Sequence, residues 1–157
     1  MVIENKKRSL KLGKIISLIL FTYVIAQLVL FYFDLKTALI VVAVSCVIDI
    51  VILYITNPQY IYFTIENDKL IFRYYSVISI IGREYKSIEF PTQRFHRFSF
   101  KKNKGLRPLL SLSVKTRKGI ATYPAVSLIA LNKEEQQAIL NQLQQLALQN
   151  EKRRSEI

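Results

Sequence analysis

Two apolar runs near the N-terminal end, a change of period after Asn57-Pro58 and an amphipathic run near the C-terminal end set the expected fold class. They predict a membrane α-helical hairpin of two transmembrane helices, then a mainly β domain of six or seven antiparallel strands capped by one C-terminal amphipathic helix. The expected division is 1–14 as a basic N-terminal segment, 15–56 as the hairpin, 57–150 as the β domain and 151–157 as a polar tail.

The apolar runs are Ile15 to Phe33 and Thr37 to Thr56, separated only by Asp34, Leu35 and Lys36. At about 1.5 Å rise per residue each gives roughly 28 to 30 Å of helix, enough to cross a hydrocarbon core of about 30 Å. The first run ends in Phe31-Tyr32-Phe33 rather than in small residues, so it reads as a retained span and not as a cleaved leader. Lys6, Lys7, Arg8, Lys11 and Lys14 precede it against Glu4 alone, whereas the connecting loop holds one Lys and one Asp. The positive-inside bias therefore predicts both termini on the cytoplasmic side of the cell membrane. Phe31 to Phe33 at one end, and Tyr54, Tyr60 and Tyr62 at the other, suit the two interfacial aromatic belts.

Asp49 is the one charged residue within the runs, and a carboxylate at that depth costs up to a few kcal/mol unless neutral, paired or wet. An antiparallel fold about Leu35 brings position 49 opposite position 21, which puts the hydroxyls of Thr22 and Tyr23 within reach. Gln27 and Ser45 add polar groups for packing the two helices. Such a carboxylate can hold the hairpin together, carry a proton or dock a partner.

After Pro58, Ile61, Phe63 and Ile65 alternate with Tyr62, Thr64 and Glu66, and after Asn67-Asp68 a second alternating run covers Leu70 to Tyr75. That is a β-hairpin. Further strands are expected at Arg83 to Phe90, Gln93 to Lys101, Leu109 to Lys115 and Ile120 to Tyr123, with a short additional one at Val77 to Ile81. A helix should begin at Asn132 with the capping pattern Asn132-x-x-Glu135 and present Ile139, Leu143, Leu146 and Ala147 on one face.

The order of elements from Tyr60 to Leu148, including the segment Ile88-Glu89-Phe90-Pro91-Thr92-Gln93-Arg94-Phe95, the turn at Gly105 and the closing helix, resembles the bacterial pleckstrin-homology-like (PH-like) domains attached to small two-span membrane proteins. The resemblance implies a bacterial membrane protein with a binding scaffold. It does not extend to inositol-phosphate recognition, because the first hairpin loop is Glu66-Asn67-Asp68 rather than basic and the chain has no tryptophan.

Charge narrows the chemistry. The chain carries 23 Lys and Arg against 11 Asp and Glu, a formal charge of +12, so acidic surfaces are its natural partners. From Arg83 to Lys118 there are 11 basic residues against Glu84 and Glu89. Arg94, Arg97, Lys101, Lys102, Lys104 and Arg107 surround Phe95, Phe98 and Phe100. A basic strand with interleaved aromatics can bind single-stranded nucleic acid, but alternation turns most of these rings into the core, which disfavours that partner. Anionic headgroups are the expected partner of this face, at about 1 kcal/mol per well-placed cation. A solvated, inert face is the plain alternative. A larger membrane protein, a toxin or a second copy packed on the hairpin is the other partner class, which would make the chain an accessory or immunity-type small subunit.

No enzymatic constellation stands out. There is one histidine, His96, in a strand beside Phe98 and Phe100, four glycines form no phosphate-binding loop, and Cys46, the single cysteine, lies inside the second apolar run. The expectation is a noncatalytic protein without cofactor or metal.

Overall fold

The computed structural model describes residues 2–78, 84–102, 107–117 and 119–155. Two long helices come first, α1 (Lys6–Tyr32) and α2 (Lys36–Thr56), and both are long and apolar enough to cross a membrane. Asp34 takes a positive φ of 53° in the turn between them, and the Leu35 N–H donates back to Leu30 O at 3.0 Å. Asn57 ends α2 in the left-handed conformation, the type of cap that Asn tolerates. The half-buried residues of α1 include Ile16, Leu20, Tyr23, Gln27 and Leu30, and those of α2 include Leu39, Val42, Cys46, Asp49 and Leu53. Both sets step by three or four, so each helix turns a single stripe to its neighbour and leaves its other faces open.

Three strands follow that extend a short one at the start of the chain. These are β1 (Val2–Glu4), β2 (Gln59–Glu66), β3 (Lys69–Ser76) and β4 (Lys86–Pro91), a four-stranded antiparallel sheet in that order. Glu66 pairs with Lys69 across Asn67 and Asp68, both at positive φ (49° and 56°), which is the two-residue hairpin geometry that matches strand twist. A 3-10 turn at Thr92–Arg94 leads into the second sheet: β5 (Phe95–Lys102), β6 (Pro108–Thr116), β7 (Gly119–Thr122) and β8 (Val126–Ser127). Both β7 and β8 pair with β6, so they act as one strand interrupted at Pro124. The helix α3 (Lys133–Ser155) closes the chain.

The described residues thus contain eight strands, more than the six or seven expected. The N-terminal segment is the main difference. Within the basic segment 1–14, Val2–Glu4 adds an edge strand to β2, with Val2 opposite Thr64, and α1 starts at Lys6, ahead of the apolar run. Other boundaries moved less. Gln93 belongs to the 3-10 turn, β4 starts at Lys86, and Val77 and Ile78 lie outside any strand. Residues 79 to 83, which carry the rest of the expected short strand, the Gly105 turn and Lys118 lie outside the described residues.

The core lies between the sheets and α3. Ile61, Phe63, Leu70 and Phe72 from the first sheet meet Phe95, Leu110 and Leu112 from the second, and Ile139 and Leu143 from α3, all essentially inaccessible. The bulge between Phe95 and Arg97 explains how β5 contributes to it. Strict alternation would put Phe95 and Phe98 on opposite faces, but one extra residue, His96, lets Phe95 be fully buried while Phe98 and Phe100 still pack against the core. The α3 cap forms as the spacing predicts. Asn132 Oδ1 accepts from Glu135 N at 2.6 Å and Glu135 Oε2 accepts from Asn132 N at 2.8 Å. One turn past Leu146, the buried Asn150 donates to Thr92 O (2.7 Å) and Phe95 O (3.1 Å), pinning the helix across the connection between the sheets.

Candidate functional site

Two groups of residues carry candidate chemistry, one between the long helices and one along β5. Between the helices, Tyr23 Oη donates to Asp49 Oδ2 at 2.6 Å. The other hydroxyl within reach goes elsewhere: Thr22 is exposed and donates to Leu18 O of its own helix at 2.9 Å. A threonine hydroxyl in a helix is readily taken by the carbonyl one turn back, whereas a tyrosine ring carries its hydroxyl clear of the backbone. Ser45 is likewise satisfied within α2 by Val42 O at 2.9 Å. Gln27 is half buried on the same stripe and makes no side-chain hydrogen bond among the described residues.

The basic residues do not form one patch. Lys101 faces Leu109 in the register of β5 and β6, Leu109 faces Ser127 in β8, and the Ser127 hydroxyl donates to Thr56 O, in the last turn of α2, at 3.3 Å. Adjacent strands lie about 4.8 Å apart, so the end of β5 that bears Lys101 and Lys102 is roughly 10 Å across the sheet from Ser127, whose hydroxyl reaches the helix terminus. Arg107 joins it just before Pro108. At the other end, Arg94 follows Thr92, whose N–H donates to Asp68 O at the tip of the β2–β3 hairpin, the tip farthest from Gln59. At about 3.3 Å per residue, Arg94 and Lys101 are roughly 23 Å apart along the strand. Arg97 lies nearer the far end, and Lys104 is outside the described residues.

Electrostatics separates the two sheets. On the first, Arg73 donates through Nε and Nη2 to Glu89 Oε1 at 3.1 and 2.9 Å, and Ser87 adds a third donor at 2.7 Å. The Ser87 hydroxyl, followed by Arg73, holds the Glu89 carboxyl below the usual carboxylate range. On the second sheet Arg94, Arg97, Lys101, Lys102 and Arg107 make no ion pair among the described residues, and all but Arg107 are exposed. Those cations keep their capacity for an external anion.

A third group escaped sequence reasoning. Asn5, Gln59 and Ser127 are 3, 8 and 1 % exposed, so each needs internal partners. Asn5 Oδ1 accepts from Ile61 N (2.8 Å) and its Nδ2 donates to Gln59 O (3.1 Å), imitating a strand partner for β2. Gln59 Oε1 in turn accepts from Ser127 N at 2.9 Å. Arg8, one turn into α1, pairs with Glu135 of α3 at 2.7 Å. Together these bonds tie both long helices to both sheets. Asn5 offered one signal, a strong helix-capping residue directly before a helical run, but its side chain is spent on the sheet rather than on the cap.

Among the described residues no cluster of His, Cys, Asp and Glu could hold a metal ion. No protein-family model, curated protein or solved structure matches the chain.

Proposed function

We propose that this chain is a noncatalytic protein of the bacterial cytoplasmic membrane, crossing twice with both termini inside, whose PH-like scaffold presents the Lys101 end of β5 to anionic headgroups or to a protein docked there. The observation that carries the reading is the bonded path from Thr56 through Ser127 and Leu109 to Lys101, which sets three cations without ion-pair partners among the described residues near the end of α2. Charges held within a Debye length of about 8 Å of an anionic leaflet are attracted to it. Two four-stranded antiparallel sheets with one closing helix support the scaffold part of the reading.

The test uses the full chain, because a fragment starting at Pro58 would lack β1 and would leave the Ile61 N–H without Asn5. In a Cys46→Ser background, a fluorophore is placed by Lys102→Cys or by Gln93→Cys, and the protein is reconstituted in nanodiscs with a quencher at headgroup level. In phosphatidylglycerol discs the position 102 probe should be quenched far more than the position 93 probe. Added salt and Lys101→Glu should both reduce the difference. Equal quenching at both positions, or no response to salt, would leave a face that only solvates the domain.

Gln27 favours a second reading. The residue is half buried on the stripe between the helices with no side-chain hydrogen bond among the described residues, so a neighbouring membrane protein could complete it, in which case the hairpin itself is the docking element.

A further inference from the structure

A cleft of about 410 Å³ runs between α1 and the end of β3, within the size range of sites for small ligands. Its floor is one face of α1, with Leu10, Gly13, Ile16 and Leu20 spaced by three or four residues, and its wall is Tyr75, Val77 and Ile78. The wall is preformed, because Tyr75 is stacked on Tyr60 (centroids 4.6 Å apart) and braced by Tyr85 at 4.7 Å. Gly13 keeps the cleft open. A Cβ at that position would touch Val77 Cγ1 at 3.4 Å, so a methyl group fits while a longer side chain occupies the space.

Polarity changes along the cleft. Ser9, Lys14 and Ser17 line it beside the β domain, and beyond Ser17 only Leu20 remains on α1, next to the exposed Leu18 and Ile19 of the apolar span. Ser9 to Leu20 covers roughly 16 Å of helix, while the headgroup zone on each side of a bilayer is only about 5 to 8 Å thick. A ligand filling the cleft must therefore be polar at one end and hydrocarbon at the other. Lys14, exposed and without an ion pair among the described residues, supplies positive charge at the polar end.

We infer that this cleft holds one anionic glycerophospholipid, its phosphate on Lys14, its glycerol beside Ser17 and one acyl chain along Ile16 and Leu20. The inference rests on the reading that α1 crosses the bilayer. It concerns a different surface from the Lys101 end of β5.

Native mass spectrometry of the full chain released from detergent micelles with added phosphatidylglycerol or phosphatidylcholine tests it. One phosphatidylglycerol should be retained in preference to phosphatidylcholine. Retention should fall by about tenfold in Lys14→Glu, a charge reversal at a headgroup contact, and similarly in Gly13→Leu. Lys11→Glu makes the same change of charge on α1 but lies outside the cleft and should retain the lipid. No stoichiometric lipid, equal retention of both lipids, or equal loss in the Lys11 and Lys14 variants would overturn the inference. Carbonate-washed membranes separate the two readings. A chain that stays with the membrane pellet yet retains no lipid fails only the cleft, and a chain that is washed off fails both.

Discussion

Tyr60, near the start of β2, stacks on Tyr75 and donates its hydroxyl to Glu4 Oε1 at 2.8 Å. Burial first, and then the Glu4 carboxylate, penalise the phenolate and hold the Tyr60 proton well above the ordinary tyrosine value of 10.0. Tyr74 is shifted in the same direction, chiefly by burial. The sign follows from proton binding: above pH 10.0 the unfolded chain loses these protons while the native state keeps them, so stability is fully present below that value and declines as pH rises beyond it. Thermal unfolding in detergent between about pH 8 and pH 11 should show this alkaline decline, and Tyr60→Phe should make it shallower. An unchanged slope would mean that Tyr60 titrates alike in both states. Asn5 serves the same sheet through its side chain. Its type and place announce a helix cap, and only the tertiary fold reveals a side chain that completes β2, because nothing local encodes a partner 56 residues away.

At the scale of elements, long periodic segments were legible and short ones were not. Both apolar helices, the β2–β3 hairpin with its Asn67-Asp68 turn and the capped α3 follow from periodicity and local chemistry, since each repeats its signal over several turns or alternations. β1 and β8, of three and two residues, are too short to show a period, and their pairing is set by distant strands. The bulge at His96 was equally hidden, because alternation predicts a face only while the register holds. For the candidate site, the sequence supplied the basic residues and the Asp49 region, but not the separation of Arg94 from Lys101, which depends on strand register. The two apolar helices also carry the prediction that belongs at this scale. With the Tyr23–Asp49 hydrogen bond joining them, Tyr23→Phe and Asp49→Leu should each weaken the hairpin, and the double variant should lose less than the sum. The coupling should be about 0.6 kcal/mol, the average for such bonds between membrane helices, and no more than about 1.7 kcal/mol, read from unfolding in mixed micelles. Strict additivity would show that each residue acts through some other contact.

For the whole molecule, the bonds from Asn5, Arg8, Gln59 and Ser127 leave no loose linker between the long helices and the sheets. The proposed topology is then strict: reporters inserted at the Asp34–Leu35 turn and fused after Ser155 should give opposite signals for cytoplasmic exposure. Equal signals would end the two-span reading. The edge strand β1 has one more consequence, for the order of events during synthesis. Val2–Glu4 leaves the ribosome well before its partner Tyr62–Thr64, which is made only after both apolar helices. At about 5 to 20 residues per second, the N-terminal strand waits roughly 3 to 12 seconds for that partner. The β1 edge of the first sheet can therefore form only once both apolar helices have been made, and its pairing with β2 draws the strand that precedes the helical hairpin back to the strand that follows it.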